Sequence, residues 1–154
     1  MLNIPVRGNG SIDEKERKIV EEIGAWMKVN SESIYGTRPW KIFGEGPAQQ
    51  AAAALNAQGF NEGKGKPFIA EDIRFAVKGD ALYATALGWP ENDKLVIKSL
   101  AKNSEYFQKE IQKVEWVAAK QSLVFERNEN GLIVFLPGKP ADELSYANVI
   151  KVYS

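Results

Sequence analysis

Near the amino end, apolar residues recur at the spacing of one helix face: Ile19, Val20, Ile23, Trp26 and Met27. Lys15, Lys18, Glu21, Glu22, Ala25 and Lys28 fill the other side, so the spacing predicts one amphipathic helix over residues 12–29. Ser11 and Glu14 have the spacing of a capping box, in which hydroxyl and carboxylate each satisfy an orphan amide of the first turn. Asn30 is a natural stop signal. The apolar stripe is wide and needs a surface to cover, which either the following residues or a preceding body of protein must supply.

From about Pro67 the apolar period changes from helical spacing to two. Ile73 to Val77 alternates, Lys78-Gly79-Asp80 marks a hairpin, and Ala81 to Leu87 returns. Leu95 to Ile97, Ile111 to Val117, Leu123 to Arg127, Leu132 to Leu136 and Asn148 to Tyr153 complete about seven short strands, with Asn128 to Gly131 as a second hairpin signal. Leu132 to Leu136 is apolar on both sides and suits an interior strand. Many short strands with no helices between them predict a mainly β fold, an antiparallel β-sandwich preceded by one amphipathic helix. Between helix and strands, Gly44, Gly46 and Pro47 break any regular pattern. Gln49 to Leu55 has helix propensity without amphipathicity, and Gly59, Gly63 and Gly65 complete a connector.

Composition narrows the chemistry. The 20 basic and 20 acidic residues cancel, and no basic stripe stands out, so nucleic acid is not an expected partner. No apolar run approaches the ~20 residues of a membrane-spanning helix, and no signal peptide is evident. There is no cysteine and no histidine, which excludes disulfides, thiolate nucleophiles and the commonest general base and metal ligand. No metal site and no cofactor is expected. Any chemistry would have to run on carboxylates, lysine, tyrosine or serine, and glycoside hydrolysis needs only two carboxyl groups. The adjacent pairs Asp13-Glu14, Glu21-Glu22, Glu71-Asp72 and Asp142-Glu143 point in diverging directions along a helix or strand and do not form a convergent catalytic pair.

Several long segments, in one order, resemble bacterial α-L-fucosidases of glycoside hydrolase family 29. Leu2-Asn3-Ile4, Glu22 to Asn30 and Ile34 to Trp40 resemble the end of that family's catalytic barrel. Phe43 to Pro47, Phe60 to Phe68, Glu71 to Phe75, Lys78 to Ala84 and Leu87 to Pro90 continue the likeness to about residue 100. Where the family usually has Gly-Pro after Leu-Asn-Ile, this chain has Pro5-Val6-Arg7.

The resemblance implies that residues 1–40 are the end of a (β/α)8-like barrel (last strand remnant and last helix), 41–66 a connector, and 67–154 a carboxy-terminal sandwich. It implies a parent enzyme that hydrolyses α-L-fucosides with retention, acts on fucosylated glycans and is periplasmic or extracellular. The family's nucleophile and fucose-holding histidines come from earlier barrel strands, so no catalytic residue is assigned here. The chain alone is expected to be inactive and to stabilise or orient the barrel, its partner within the same protein. The orphaned stripe predicts self-association, or a helix folded back on the sandwich. The alternative reading is a carbohydrate-binding sandwich, with Trp89, before Pro90 in a turn, and Tyr83 as stacking rings. Trp26 and Trp116 are expected in the core, and Trp40 between connector and sandwich.

Overall fold

The computed structural model describes residues 3–50, 67–140 and 146–154. One long helix, α1 (Glu14–Asn30), precedes a short 3₁₀ turn (Ser31–Ser33) and strand β1 (Arg38–Glu45). A short helix α2 (Pro47–Gln50) follows. Then come β2 (Ile73–Lys78), β3 (Ala81–Ala86), β4 (Lys94–Ile97), a 3₁₀ turn (Lys98–Leu100), β5 (Lys113–Trp116), β6 (Gln121–Ser122), β7 (Val124–Asn128), β8 (Gly131–Phe135) and β9 (Asn148–Tyr153).

The strands form two antiparallel sheets, one ordered β1-β2-β3-β9-β5-β6 and the other β4-β8-β7. Their facing sides share one core. Ile73, Phe75, Leu82, Ala84, Val114, Trp116, Ile150 and Val152 come from the larger sheet, and Leu95, Ile97, Leu132 and Val134 from the smaller. Period-two alternation puts these residues on one face of each strand, so the mainly β, antiparallel sandwich expected from the sequence is the fold observed. The apolar stretch at β8 is the centre of the smaller sheet, and the two hairpins fall at Gly79-Asp80 and Glu129-Asn130.

Two local expectations are corrected. The capping box is not formed: Asp13 is the N-cap and its side chain accepts from the Lys15 amide at 3.0 Å, while the Ser11 hydroxyl donates to the Asn9 side chain. An aspartate one residue before the helix competes better for the amides, because its carboxylate also meets the positive end of the helix. Second, the beginning of the presumed connector is strand β1, paired with β2 through a register shift between Pro39 and Gly44. Pro39 has no N–H to give and is tolerated because β1 is an edge strand. The expected helical stretch Gln49 to Leu55, and Gly59, Gly63 and Gly65, lie largely or wholly outside the described residues.

Helix α1 folds back on the outer face of the larger sheet through its last turns. Trp26 packs on a patch of Ala81, Tyr83, Val117 and Val149. Asn30 is its one buried residue, whereas Ile19 and Ile23 are 52% and 40% exposed.

Candidate functional site

Three regions carry side chains arranged for more than packing. The first lies between α1 and the larger sheet. The Trp26 indole N–H donates to the Ala147 carbonyl at 2.7 Å, leaving beside it an apolar cleft of about 430 Å³ lined by Ile19, Ile23, Leu87 and Tyr146 among others. The cleft exists because the stripe of α1 is longer than the part of it that touches the sheet.

Below α1, Glu32 of the 3₁₀ turn accepts from Lys151 Nζ at 3.0 Å and from the Tyr83 hydroxyl at 3.3 Å. Lys151 also lies over the rings of Tyr83 and Tyr153. Partial burial opposes the charge on Lys151, but the Glu32 carboxylate and the Tyr83 and Tyr153 hydroxyls outweigh it and hold its pKa above that of an ordinary lysine. Burial, with the Glu32 charge adding to it, pushes the Tyr83 hydroxyl up. Burial and the Glu32 charge keep the phenol protonated although the nearby ammonium opposes them, and Lys151 keeps its proton as well, which suits a structural bolt and gives neither group the character of a general base.

The third region is the loop of residues 98–110 and the β7–β8 hairpin beside it. Glu45, at the end of β1, accepts from the amides of Lys98 at 2.8 Å and Ser99 at 2.7 Å, and from the Ser99 hydroxyl. Arg127 on β7 donates to four carbonyls, those of Leu100, Ala101, Phe107 and Lys109. The loop thus hangs on one carboxylate and one guanidinium, and an open cleft of about 750 Å³ lies between it and the hairpin.

The residues singled out in the sequence fall into different places. Trp89 sits after β3 with its ring edge-on to Trp116 at 5.8 Å, and its indole N–H donates to Asp93 at 2.6 Å. Tyr83 is 2% exposed and presents no free face. Trp116 is in the core, and Trp40 packs edge-on to Phe75 at 4.9 Å. Of the carboxylate pairs, Asp13 caps α1, and Asp72 is buried with its carboxylate accepting from the amides of Ala48 and Ile69. Its neighbour Glu71 points to solvent. Asp142 and Glu143 lie outside the described residues. Among the described residues no cluster of acidic groups could hold a metal ion.

Sequence reasoning passed over Glu45 and Arg127, and weighed Asp72 only as half of a diverging carboxylate pair. Each serves backbone groups distant in sequence, and no local pattern announces that; an isolated charge beside glycines or in an apolar strand was the available sign.

The family model described as the α-L-fucosidase C-terminal domain matches residues 66–153, the stretch containing β2 to β9. Tissue α-L-fucosidase of Bos taurus is 25% identical over 142 residues, covering 91% of this chain and 24% of that protein. The Homo sapiens protein of the same description is 26% identical over 99 residues, 64% of this chain and 16% of that one. The chain therefore spans at most about a quarter of the length of these relatives. Among solved structures, the Thermotoga maritima α-fucosidase in complex with a mechanism-based inhibitor aligns with a TM-score of 0.67 at 20% identity, over 100% of this chain and 30% of that one. α-L-Fucosidase isoenzyme 1 from Paenibacillus thiaminolyticus aligns at 0.60 and 21% identity, over 99% and 30%. At that identity the structures speak for the fold, and the family match, which takes in both sheets of the sandwich, speaks for descent: this chain belongs to the α-L-fucosidase C-terminal domain family.

Proposed function

We propose that this chain is the carboxy-terminal region of a retaining α-L-fucosidase and that its task is mechanical: it seats and orients a catalytic barrel and cleaves no bond itself. The observation that carries this reading is the bare half of the α1 stripe. Ile19 and Ile23 stand 52% and 40% exposed above an apolar cleft, in a family whose members continue well beyond the length matched here. Fully burying an isoleucine is worth about 1.5–3 kcal/mol, so each of these leaves roughly half that gain to be collected by a partner surface. A barrel resting on this stripe collects it.

Retaining hydrolysis needs two carboxyl groups about 5–5.5 Å apart across a substrate pocket. Asp13 and Asp72 are committed to backbone amides, so neither is available as half of such a pair. Catalysis then belongs to the barrel, and the sandwich contributes the surface that keeps the last barrel helix in register.

The test is complementation. The 154-residue chain is mixed with a fucosidase barrel lacking its own carboxy-terminal domain, and release from an aryl α-L-fucoside is followed with light scattering on the same samples. The chain alone gives no turnover; with the barrel it forms a complex and raises activity or thermal resistance. An Ile19→Glu/Ile23→Glu variant that keeps its sandwich abolishes both effects. Turnover by the chain alone, or a complex indifferent to the double substitution, refutes the reading.

A further inference from the structure

We propose that the cleft between residues 98–106 and the tip of the β7–β8 hairpin is a binding site for a neutral oligosaccharide. The proposal rests on the fucosidase reading only in its choice of a fucosylated sugar as probe.

The walls of this cleft are held from beneath. Glu45 pins Lys98 and Ser99, and the Ser104 hydroxyl donates to the Ser99 carbonyl at 2.6 Å while accepting from the Tyr106 amide at 3.2 Å. Arg127 gathers the carbonyls on the loop's inner side. The Lys102 amide donates to the Asn128 carbonyl at 2.9 Å, tying loop to hairpin. Backbone so constrained loses little entropy when a ligand arrives.

Above this scaffold the side chains are unspent. Asn103, Glu105, Glu129 and Asn130 are exposed, and their side chains make no hydrogen bond among the described residues. The half-buried ring of Tyr106 stands edge-on to Trp40 at 6.4 Å, which fixes its orientation in the cleft wall. Two amides, two carboxylates and a phenol offer acceptors and donors in the mixture that vicinal hydroxyls need. One aromatic ring with the side chains of Val96 and Ala101 offers an apolar patch for the C–H face of a pyranose. Two carboxylates against the single ammonium of Lys98 disfavour phosphate, sulfate and nucleic acid. The volume of about 750 Å³ lies within the range of small-ligand sites. No residue of α1 lines this cleft.

The experiment follows the backbone amide signals of the 154-residue chain by NMR during titration with a fucosylated lactose trisaccharide, lactose and inorganic phosphate. Either sugar is expected to shift the amides of Asn103, Glu105, Tyr106 and Asn130 saturably, with a Kd of about 1 mM, whereas phosphate does not. Asn130→Ala and Glu105→Gln, both exposed and unconnected to the scaffold, weaken binding about tenfold while signal dispersion is kept. Tyr106→Ala also removes binding; because its ring touches Trp40, the two surface variants decide if that protein fails to fold.

No shift up to about 10 mM sugar overturns the proposal, as do shifts centred on Trp89 or saturation by phosphate in place of sugar. Loss of barrel complementation with the sugar shifts intact removes the mechanical reading and leaves this site standing. Intact complementation without sugar shifts removes this site alone.

Discussion

Trp26 and Ala147 lie 121 positions apart, and the indole N–H of the first donates to the carbonyl oxygen of the second at 2.7 Å. This bond and the ring's packing on Ala81, Tyr83, Val117 and Val149 are the chief hold of α1 on the sandwich. Replacing the ring and deleting the bond therefore have separable costs. Trp26→Phe keeps most of the apolar contact and is expected to cost about 0.5–1.5 kcal/mol. Trp26→Ala is expected near the lower end of about 3–5 kcal/mol, since the ring is only half-buried. Urea unfolding with amide hydrogen exchange checks this: the alanine variant loses protection along α1 first, while β3 and β9 keep theirs. Equal costs for both variants, with α1 still protected, would show that the helix is held elsewhere.

Arg127 holds four carbonyls and stacks on the Phe107 ring at 5.4 Å. Lysine keeps the charge but has neither the planar fork nor the stacking face. Arg127→Lys is expected to destabilise the sandwich by about 2–3 kcal/mol, through carbonyls left without donors. Thermal unfolding measures the loss. Amide exchange localises it to residues 98–110; uniform loosening of both sheets would contradict the assignment.

Gly46 has φ +115°, and a Cβ there would strike the Glu71 carbonyl oxygen and the backbone of Asp72. Asp72 in turn anchors the amides of Ala48 and Ile69 at 2.8 and 3.0 Å. Gly46→Ala combines a left-handed backbone with a backbone clash, so a cost of about 1–3 kcal/mol is expected. A midpoint of thermal unfolding unchanged from the parent would exclude the crowding.

The stability of the chain should respond to pH at both extremes, with opposite signs. Lys151 and Tyr83 have pKa values raised above 10.5 and 10.0, so above about pH 10 the folded chain holds protons that the unfolded chain has released. Their contribution is complete below that range and is lost as pH rises through the folded values. Glu32→Gln removes the carboxylate that both groups face and flattens this alkaline loss. Asp13 behaves inversely. The Arg7 guanidinium and the Lys15 amide hold its carboxyl below 3.8, so its stabilising effect is present above that value and disappears as pH falls. Urea midpoints across pH, compared with helix signal in acid, separate the sandwich response from fraying of α1. An alkaline limb identical in the Glu32→Gln protein would remove the coupling.

Much of this molecule was legible from local pattern. The 3.6-residue period located α1, and the period of two with its turn residues located β2, β3, β4, β5, β7, β8 and β9 to within a few positions, because each pattern is written in neighbouring side chains. The interior character of β8 could be read for the same reason. Strand β1 could not: Pro39 and Gly44 argue against a strand, and only the waiting edge of β2 makes one there. Nor could local pattern reveal that β9 inserts between β3 and β5, since that order is decided by which apolar faces meet in the core.

The candidate site divides along the same line. The sequence alone determined a neutral chain free of cysteine and histidine, with a wide apolar stripe along its helix. Tertiary structure alone decided that Trp89 turns its edge to Trp116, that Tyr83 is sealed beneath Glu32 and Lys151, and that Tyr106 stands in an open cleft. Exposure of an aromatic ring depends on what long-range contacts lay over it, and those contacts form between residues too distant in sequence to leave a periodic mark.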